Sequence, residues 1–373
     1  MANLRLAIVQ DYVPQFRLQF FDELIRELAA TDIDCGVIAG RPPGVLASRG
    51  DAVKRASWLK EVEPRELTVG RQGPRFYGYG TDCHWRDCDG IIMALRGTSL
   101  DLNMELVRKR FSARRVGVWG HISHTIKPPN AIDLAIERWQ MRRSDHVFAY
   151  TESGVEVAIS AGVHSGDVTA VMNSTDVAEL LSAYEAFSEV ELTRMLDEYV
   201  LTPGKTFGFI GGLDGPKRIS FLAEVLDRMW YIDQQVKVLI GGTGAEDKLL
   251  TGAVNRGQVV MFGYAGPQEK AAIMRLSQAI LSPGRIGLLA IDCLAVGIPI
   301  LATEWKYHAP EFEYLEQGKD VIISANDVTS YIELLLKSTT TECKLETRSG
   351  RPYPSVEQMV QRFAGGVKSM MLD

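Results

Sequence analysis

One rhythm runs through this chain twice and restricts its fold more than any other feature. Residues 4–10, "LRLAIVQ", form a short unbroken apolar run. "QFRLQFFDELIRELAAT" follows, with Phe16, Phe20, Phe21, Leu24, Ile25 and Leu28 at helical spacing, and then "IDCGVIAG". A strand buried on both faces reads as continuous apolar sequence, and a helix covering it carries a stripe at intervals of three and four. Strand, helix, strand in this order is a βαβ unit, the building block of a parallel sheet.

The alternation continues through "DGIIMAL", "RRVGVWG", the helix "AIDLAIERWQMRRS", "HVFAYT", the short helix "SGVEVAISAG" and "VTAVMNS". Residues 41–90, rich in Gly, Pro, Arg and aromatics, fit neither period and stay unassigned. "DVAELLSAYEAFSEVELTRMLDEY" is polar helix, which "TPGK" breaks, so residues 176–202 read as a linker. A second alternation begins at Lys205, from "KTFGFIGGLDG" through "QVKVLIGG", "QVVMFGYAG" and "AILSPG" to a helix over 327–337. The sequence therefore predicts an α/β protein of two doubly wound, Rossmann-like domains. Residues 1–175 form the first, 203–350 the second, and an amphipathic helix within 351–373 ends the chain.

Composition narrows the function class. The formal charge is −6, and residues 1–172 and 173–373 differ in sign, so no basic field favours nucleic acid. The five cysteines, Cys35, Cys83, Cys88, Cys293 and Cys343, are irregularly spaced, which suits a reducing cytoplasm better than a disulfide framework. No apolar run approaches the ~18 residues of a membrane span. Contact with the inner face of a membrane would be peripheral, and "RKRFSARR" at 108–115 is the cluster that offers it, against the blander reading of a solvated face. "CHWRDC" at 83–88 lacks the second pair of ligands that a zinc site needs and reads as loop.

The chemistry concentrates in the second half. "SPGRIGLLAIDCLAVGIPILAT", residues 282–303, puts a glycine turn at the mouth of an apolar helix carrying one carboxylate, Asp292. A helix N-terminus presents unspent N–H groups and a positive dipole end to an anion, and Gly287 lets a ligand approach the backbone. Gly287, Leu288 and Leu289 are the amides in question.

Together with "FIGGLDGPKRISFLAEVL", "KVLIGGTGAEDKLL" and "MFGYAGPQEKAAIM", this stretch resembles the retaining glycosyltransferases of family 4 in order and spacing. That resemblance implies the GT-B architecture: two facing Rossmann-like domains, a nucleotide-sugar site between them, and a C-terminal helix crossing back to the first. It implies that Lys217 grips the phosphates, that Asp292 stands for the glutamate that binds the ribose, and that Tyr264 marks the place of the base. His121 falls where the family keeps a histidine close to the donor sugar. His124 competes for that role, and His121 is preferred because it follows the strand directly. Pro14, Gln15 and Arg17 match the loop that lines the acceptor side, and Asn173 sits at the hinge strand as a structural residue.

Two departures stand out. The family's first glutamate, eight residues before the second, is Gly284 here, and its arginine before the lysine is Gly212. Arg285 is a candidate substitute cation. Asp292 has a second reading, as a buried structural acid paired with Lys or Arg, and the glycines of "GGTG" at 241–244 read as structural more readily than as ligand contacts. The implied activity is metal-independent transfer of a sugar, with retention, from a UDP-, GDP- or dTDP-sugar. The acceptor is a glycan, a lipid-linked or a small-molecule hydroxyl, as in bacterial surface polysaccharide assembly, and no cofactor takes part. A nucleotide-sugar epimerase and a non-catalytic binding protein of the same fold are the alternatives.

Overall fold

The computed structural model describes residues 3–41, 52–63, 65–68, 75–78, 82–122, 131–339 and 352–372. His124 lies outside them. The chain divides into two units, Met1–Thr175 with Pro354–Asp373, and Asp176–Tyr353.

In the first unit β1 (Leu4–Gln10), α1 (Leu18–Ala29) and β2 (Ile33–Ala39) form the opening βαβ. The stretch without a period contributes a short strand, β3 (Leu59–Glu61), and an antiparallel hairpin of β4 (Arg65–Thr68) and β5 (Arg75–Gly78). Then follow β6 (Gly90–Ala94), α2 (Leu100–Arg108), β7 (Arg115–Gly120), α3 (Ala131–Arg143), β8 (His146–Ala149), α4 (Glu152–Ser160) and β9 (Val168–Ala170). Seven parallel strands lie in the order β3-β2-β1-β6-β7-β8-β9.

The second unit opens with α5 (Ala178–Ala186) and α6 (Glu189–Glu198). It continues with β10 (Thr206–Ile210), α7 (Ile219–Ile232), β11 (Lys237–Gly241), α8 (Thr251–Asn255), β12 (Val259–Gly263), α9 (Pro267–Leu276) and β13 (Ile280–Ser282). It closes with α10 (Leu289–Val296), β14 (Ile300–Thr303), β15 (Val321–Ser324) and α11 (Val328–Ser338), and α12 (Val356–Leu372) ends the chain in the first unit. Its six parallel strands are ordered β12-β11-β10-β13-β14-β15.

The segment read as a linker is no spacer. α5 and α6 break apart at a capping box built by Ser188 and Glu191. Leu180, Ala183, Leu192 and Leu201 are then buried in the core shared by α9, α10 and β13. Enough apolar residues point one way for the segment to belong to the second unit, although its sequence is polar overall.

α12 seals the first unit. Phe363 stacks on Phe148 with ring centroids 4.5 Å apart and meets Phe20 and Trp119 edge-on. Gly366 is a packing requirement, since a Cβ there would stand 2.7 Å from the Phe148 ring. Where the sheet is bare, at Gly117 of β7 and Gly90 of β6, Met370 and Met371 fill the space. His146, buried under this helix, hydrogen-bonds Thr169 Oγ1 at 2.8 Å, and burial lowers its pKa to about 4.

Candidate functional site

In the second sheet the strand order reverses between β10 and β13, which therefore flank the switch point where α/β sheets leave a crevice at their C-terminal edge. The loops leaving β10 and β13 carry Gly212 and Lys217, and Gly284 through Leu289. Tyr264 follows β12 on the same edge and is 68% exposed. The sequence-derived residues of the second half thus gather on one edge of one sheet.

The turn after β13 is held by the protein at nearly every polar atom. Pro283 O accepts from an Arg218 guanidinium N–H at 2.8 Å and from Thr303 Oγ1 at 2.9 Å. Arg285 N donates to Pro216 O at 2.9 Å, and Arg285 O accepts from Lys217 Nζ at 2.7 Å. Ile286 N donates to His308 Nδ1 at 3.2 Å, and Ile286 O accepts from Ala309 N at 2.8 Å. After these, the N–H groups of Gly287, Leu288 and Leu289 donate to nothing among the described residues. Leu288, the N-cap of α10, supplies no side-chain cap. Amides at an uncapped helix start, with Lys217 Nζ bonded to the turn before them, are the donors that an anion at this place would meet.

Two glycines of this turn differ in kind. A Cβ on Gly284 would lie 2.5 Å from Pro216 O and 2.6 Å from Lys217 C, so no side chain fits where the family resemblance calls for a carboxylate. A Cβ on Gly287 would meet only Ala309 Cβ at 3.5 Å and Glu311 Oε2 at 3.8 Å, which is ordinary contact. The protein does not itself require glycine at 287, whereas a ligand approaching the amides would. Gly242 and Gly244 of "GGTG" are demanded by packing, because side chains there would run into the backbone of Gly211 and Leu213. Gly212 is half-buried, and a Cβ on it would meet only the Asp214 carboxylate.

Asp292 lies in the first turn of α10, 4% exposed, and Oδ2 accepts from Lys270 Nζ of α9 at 2.7 Å. Burial opposes the Lys270 ammonium, but Asp292 outweighs it, and the lysine pKa is held above its ordinary value. The buried ion pair raised from sequence as the second reading of Asp292 is therefore present. α10 ends at Gly297 in the left-handed conformation (φ 81°), which lets the N–H groups of Gly297 and Ile298 both reach Cys293 O before Pro299.

Sequence reasoning did not find four neighbours of the site. Arg218 sits at φ 57° as the N-cap of α7 and stacks between Phe221 (4.1 Å) and Trp305 (4.6 Å) while donating to Pro283 O, Thr303 Oγ1 and Asn326 Oδ1. A non-glycine residue in this region costs about 1–3 kcal/mol and persists only when its surroundings fix it. His308, stacked on Phe312, has its pKa lowered to about 4 by burial, reinforced by the Lys217 and Arg285 charges, so it is a neutral acceptor for Ile286 N–H. Glu311 is buried behind Gly287, and Lys270 faces Asp292. Arg218 and Lys270 stand inside two of the quoted stretches with no spacing that marks them, and His308 and Glu311 are brought to the turn by the segment after β14.

In the first unit the crevice between β1 and β6 is bridged by an Asp11–Arg96 ion pair. His121 follows β7, with its ring 4.2 Å from that of Tyr150, and lines a cavity of about 350 Å³ with Leu95, Glu137 and Met141. Burial raises the Glu137 pKa, which the Gly97 backbone opposes. The acceptor-loop reading needs a correction at Arg17, which is 6% exposed and points inward. Its guanidinium bonds Asn173 Oδ1, Ser174 O at 3.3 Å and Met359 Sδ at 3.2 Å, and lies over the Phe20 and Trp119 rings. Arg17 clasps the end of the first sheet to α12, the kind of role foreseen for Asn173. Pro14 is half-buried and Gln15 is exposed.

Residues 204–339 match the model of the family described as glycosyl transferases group 1. Three solved structures illustrate the likeness of the whole chain. Anabaena Alr3699/HepE in complex with UDP has a TM-score of 0.62 at 12% identity, covering 99% of this chain and 98% of the other. A glycosyltransferase from Rickettsia africae scores 0.65 at 10% identity, over 100% and 99%. UDP-GlcNAc 2-epimerase from Methanocaldococcus jannaschii scores 0.58 at 14% identity, over 96% and 98%. No curated protein matches the chain. At such identities the likeness establishes the fold: two Rossmann-like parallel-sheet domains of the GT-B class.

Proposed function

We propose that the protein is a metal-independent, retaining glycosyltransferase that moves a sugar from a nucleoside diphosphate to a hydroxyl group. One observation carries the reading: at the switch point of the second sheet, three unspent amides at the start of α10 adjoin a turn bonded by the Lys217 ammonium. A diphosphate is the ligand that needs both. The match of residues 204–339 and the UDP named with the Anabaena structure support it.

In this reading the bond from the sugar's anomeric carbon to the phosphate oxygen breaks as the acceptor oxygen bonds to the same face. The acceptor proton passes to the departing phosphate. Lys217 and the amides of Gly287, Leu288 and Leu289 hold the negative charge that develops, which is where preorganised donors act most strongly. The same groups take the place of a divalent ion. Asp292 binds ribose hydroxyls through Oδ1 while Oδ2 keeps Lys270, and Tyr264 flanks the base. Arg285 adds a cation beside the turn. In the first unit His121 is the candidate catalytic residue, with Pro14 and Gln15 on the acceptor side. The acceptor is a glycan, a lipid-linked or a small-molecule hydroxyl.

The epimerase of like fold motivates a second reading, epimerisation of the donor. A thermal-shift screen of UDP, GDP, dTDP and ADP with their sugars tests the first step, on wild type and Lys217→Ala. A ligand at a hundred times its dissociation constant stabilises by about 2.7 kcal/mol. The expected result is a shift with one nucleotide that is lost in the variant. The bound donor is then incubated with and without acceptors: transfer supports the transferase, an epimer formed without acceptor supports the second reading, and binding with neither leaves a non-catalytic protein. No shift with any nucleotide defeats the transferase and the epimerase readings and leaves the non-catalytic binding protein.

A further inference from the structure

We propose that Lys270 reads the sugar of the nucleotide: with Asp292 it clamps the 2′- and 3′-hydroxyls of a ribose, its ammonium donating to the hydroxyl oxygens. This deepens the nucleotide reading of the same site and rests on it.

Position is the first ground. α9 and α10 both start on the C-terminal edge of the second sheet, α9 just past Tyr264 and α10 at the three unspent amides. Lys270 closes the first turn of α9, its N–H bonding Gly266 O at 2.9 Å. Asp292 lies three and four residues after Leu289 and Leu288, on the same face of α10 and one turn further in. The Lys270 ammonium is within electrostatic reach of Tyr264, and Cys293, next to Asp292, feels the Lys270 and Lys217 charges alike. The ion pair therefore stands between the residue proposed to flank the base and the groups proposed to hold the diphosphate. In a nucleoside diphosphate that interval is the ribose.

Exposure and bonding capacity are the second ground. The side chain of Asp292 is 6% exposed and that of Lys270 30%, so a ligand meets the lysine before the carboxylate it covers. An ammonium has three N–H groups. One is given to Asp292 Oδ2 at 2.7 Å, and the other two donate to nothing among the described residues. Asp292 Oδ1 accepts from nothing among them. A hydroxyl both donates and accepts, whereas a carboxylate only accepts and an ammonium only donates. The pair supplies both kinds of group side by side. One hydroxyl of a vicinal diol gives its proton to Oδ1 while both oxygens accept from Nζ. A site built this way discriminates against a ligand that lacks a hydroxyl, because its own polar groups are then left unmatched.

The test is calorimetric titration of the full chain with UDP, GDP and ADP and with the 2′-deoxy form of each. Lys270→Met alone would strand a buried carboxylate, so the substitution is made on Asp292→Asn, where no ion pair remains to be broken. The melting temperature is then expected to stay close to that of Asp292→Asn. For the base bound most tightly, wild type is expected to prefer the ribonucleotide by about tenfold or more, the scale of a hydrogen bond to a charged group. The preference shrinks in Asp292→Asn and vanishes when Lys270→Met is added. A lysine that only holds Asp292 in place, or only adds positive charge near the phosphates, moves both affinities together and leaves their ratio as it was. Four results overturn the clamp and leave the nucleotide site standing: equal binding of both forms by wild type, a preference untouched by Asp292→Asn, one abolished by Asp292→Asn alone, or one untouched by the added Lys270→Met. Failure of every nucleotide to bind overturns the clamp and the nucleotide reading together.

Discussion

Gly284 and Gly287 lie three residues apart in one turn, and substitution separates their roles. At Gly287 the protein has room for a methyl group, so Gly287→Ala is expected to melt within about 1 °C of wild type, as substitutions without a buried conflict do. Its nucleotide affinity is expected to fall by about tenfold or more, because the added Cβ stands over the amides that hold the phosphates. A variant that binds as wild type does would remove the amides from the site. Gly284→Glu restores the carboxylate that the family resemblance calls for, and is expected to lose rather than gain. The new Cβ collides with the backbone of Pro216 and Lys217, at a cost of about 1–3 kcal/mol or more. Chemical denaturation measures it, and an active variant of undiminished stability would contradict the packing argument. The glycine count of this turn was legible in the sequence. Which glycine answers to the protein was not, because that depends on a neighbour some seventy residues away.

Between elements, the decisive links are single polar contacts. The Lys270–Asp292 pair ties α9 to α10, and Asp292→Asn separates its two roles. If Oδ1 receives ribose hydroxyls, the preference of the protein for a ribonucleotide over its 2′-deoxy form shrinks several-fold in the variant, measured by calorimetry. If the preference is unchanged, Asp292 is a structural acid only. Two histidines on different elements set the acid limit of the fold. His308 after β14 and His146 in β8 have folded pKa values of about 4, below the ordinary 6.5. The unfolded chain therefore binds protons between these values that the folded chain does not. The stabilisation is complete above about pH 6.5 and is lost as pH falls towards 4, up to about 3 kcal/mol for each residue. Melting temperatures across that window test it, and replacing His308 by Asn, whose side-chain oxygen can still accept from Ile286 N–H, is expected to flatten the curve.

For the molecule as a whole, the proposed phosphate contacts all lie within Asp176–Tyr353, while the chain's last helix belongs to the other unit. Removing residues 354–373 uncovers Phe20, Trp119 and Phe148 and leaves Arg17 without Met359. The truncated chain is expected to lose the ordered first unit, seen as rapid proteolysis, while residues 176–353 resist the protease and keep nucleotide affinity within about tenfold. Loss of nucleotide binding together with the first unit would show that the phosphate site needs both.

What the sequence by itself determined follows from local periodicity. Buried parallel strands and their covering helices write their burial directly into runs and stripes, so two doubly wound domains, the glycine turn and the lysine before α7 could all be read without coordinates. Tertiary structure decided whatever depends on residues far apart along the chain. A polar stretch proved to be two packed helices, because a few buried leucines outweigh many solvated charges. Arg17 turned inward because Asn173 and α12 wait there for it. Arg218 reached the turn from the start of α7, and His308 and Glu311 from the segment after β14, while the carboxylate missing at Gly284 was excluded by the backbone of Pro216 and Lys217. Such contacts leave no period in the sequence, since a parallel sheet brings successive loops to one edge however many residues lie between them.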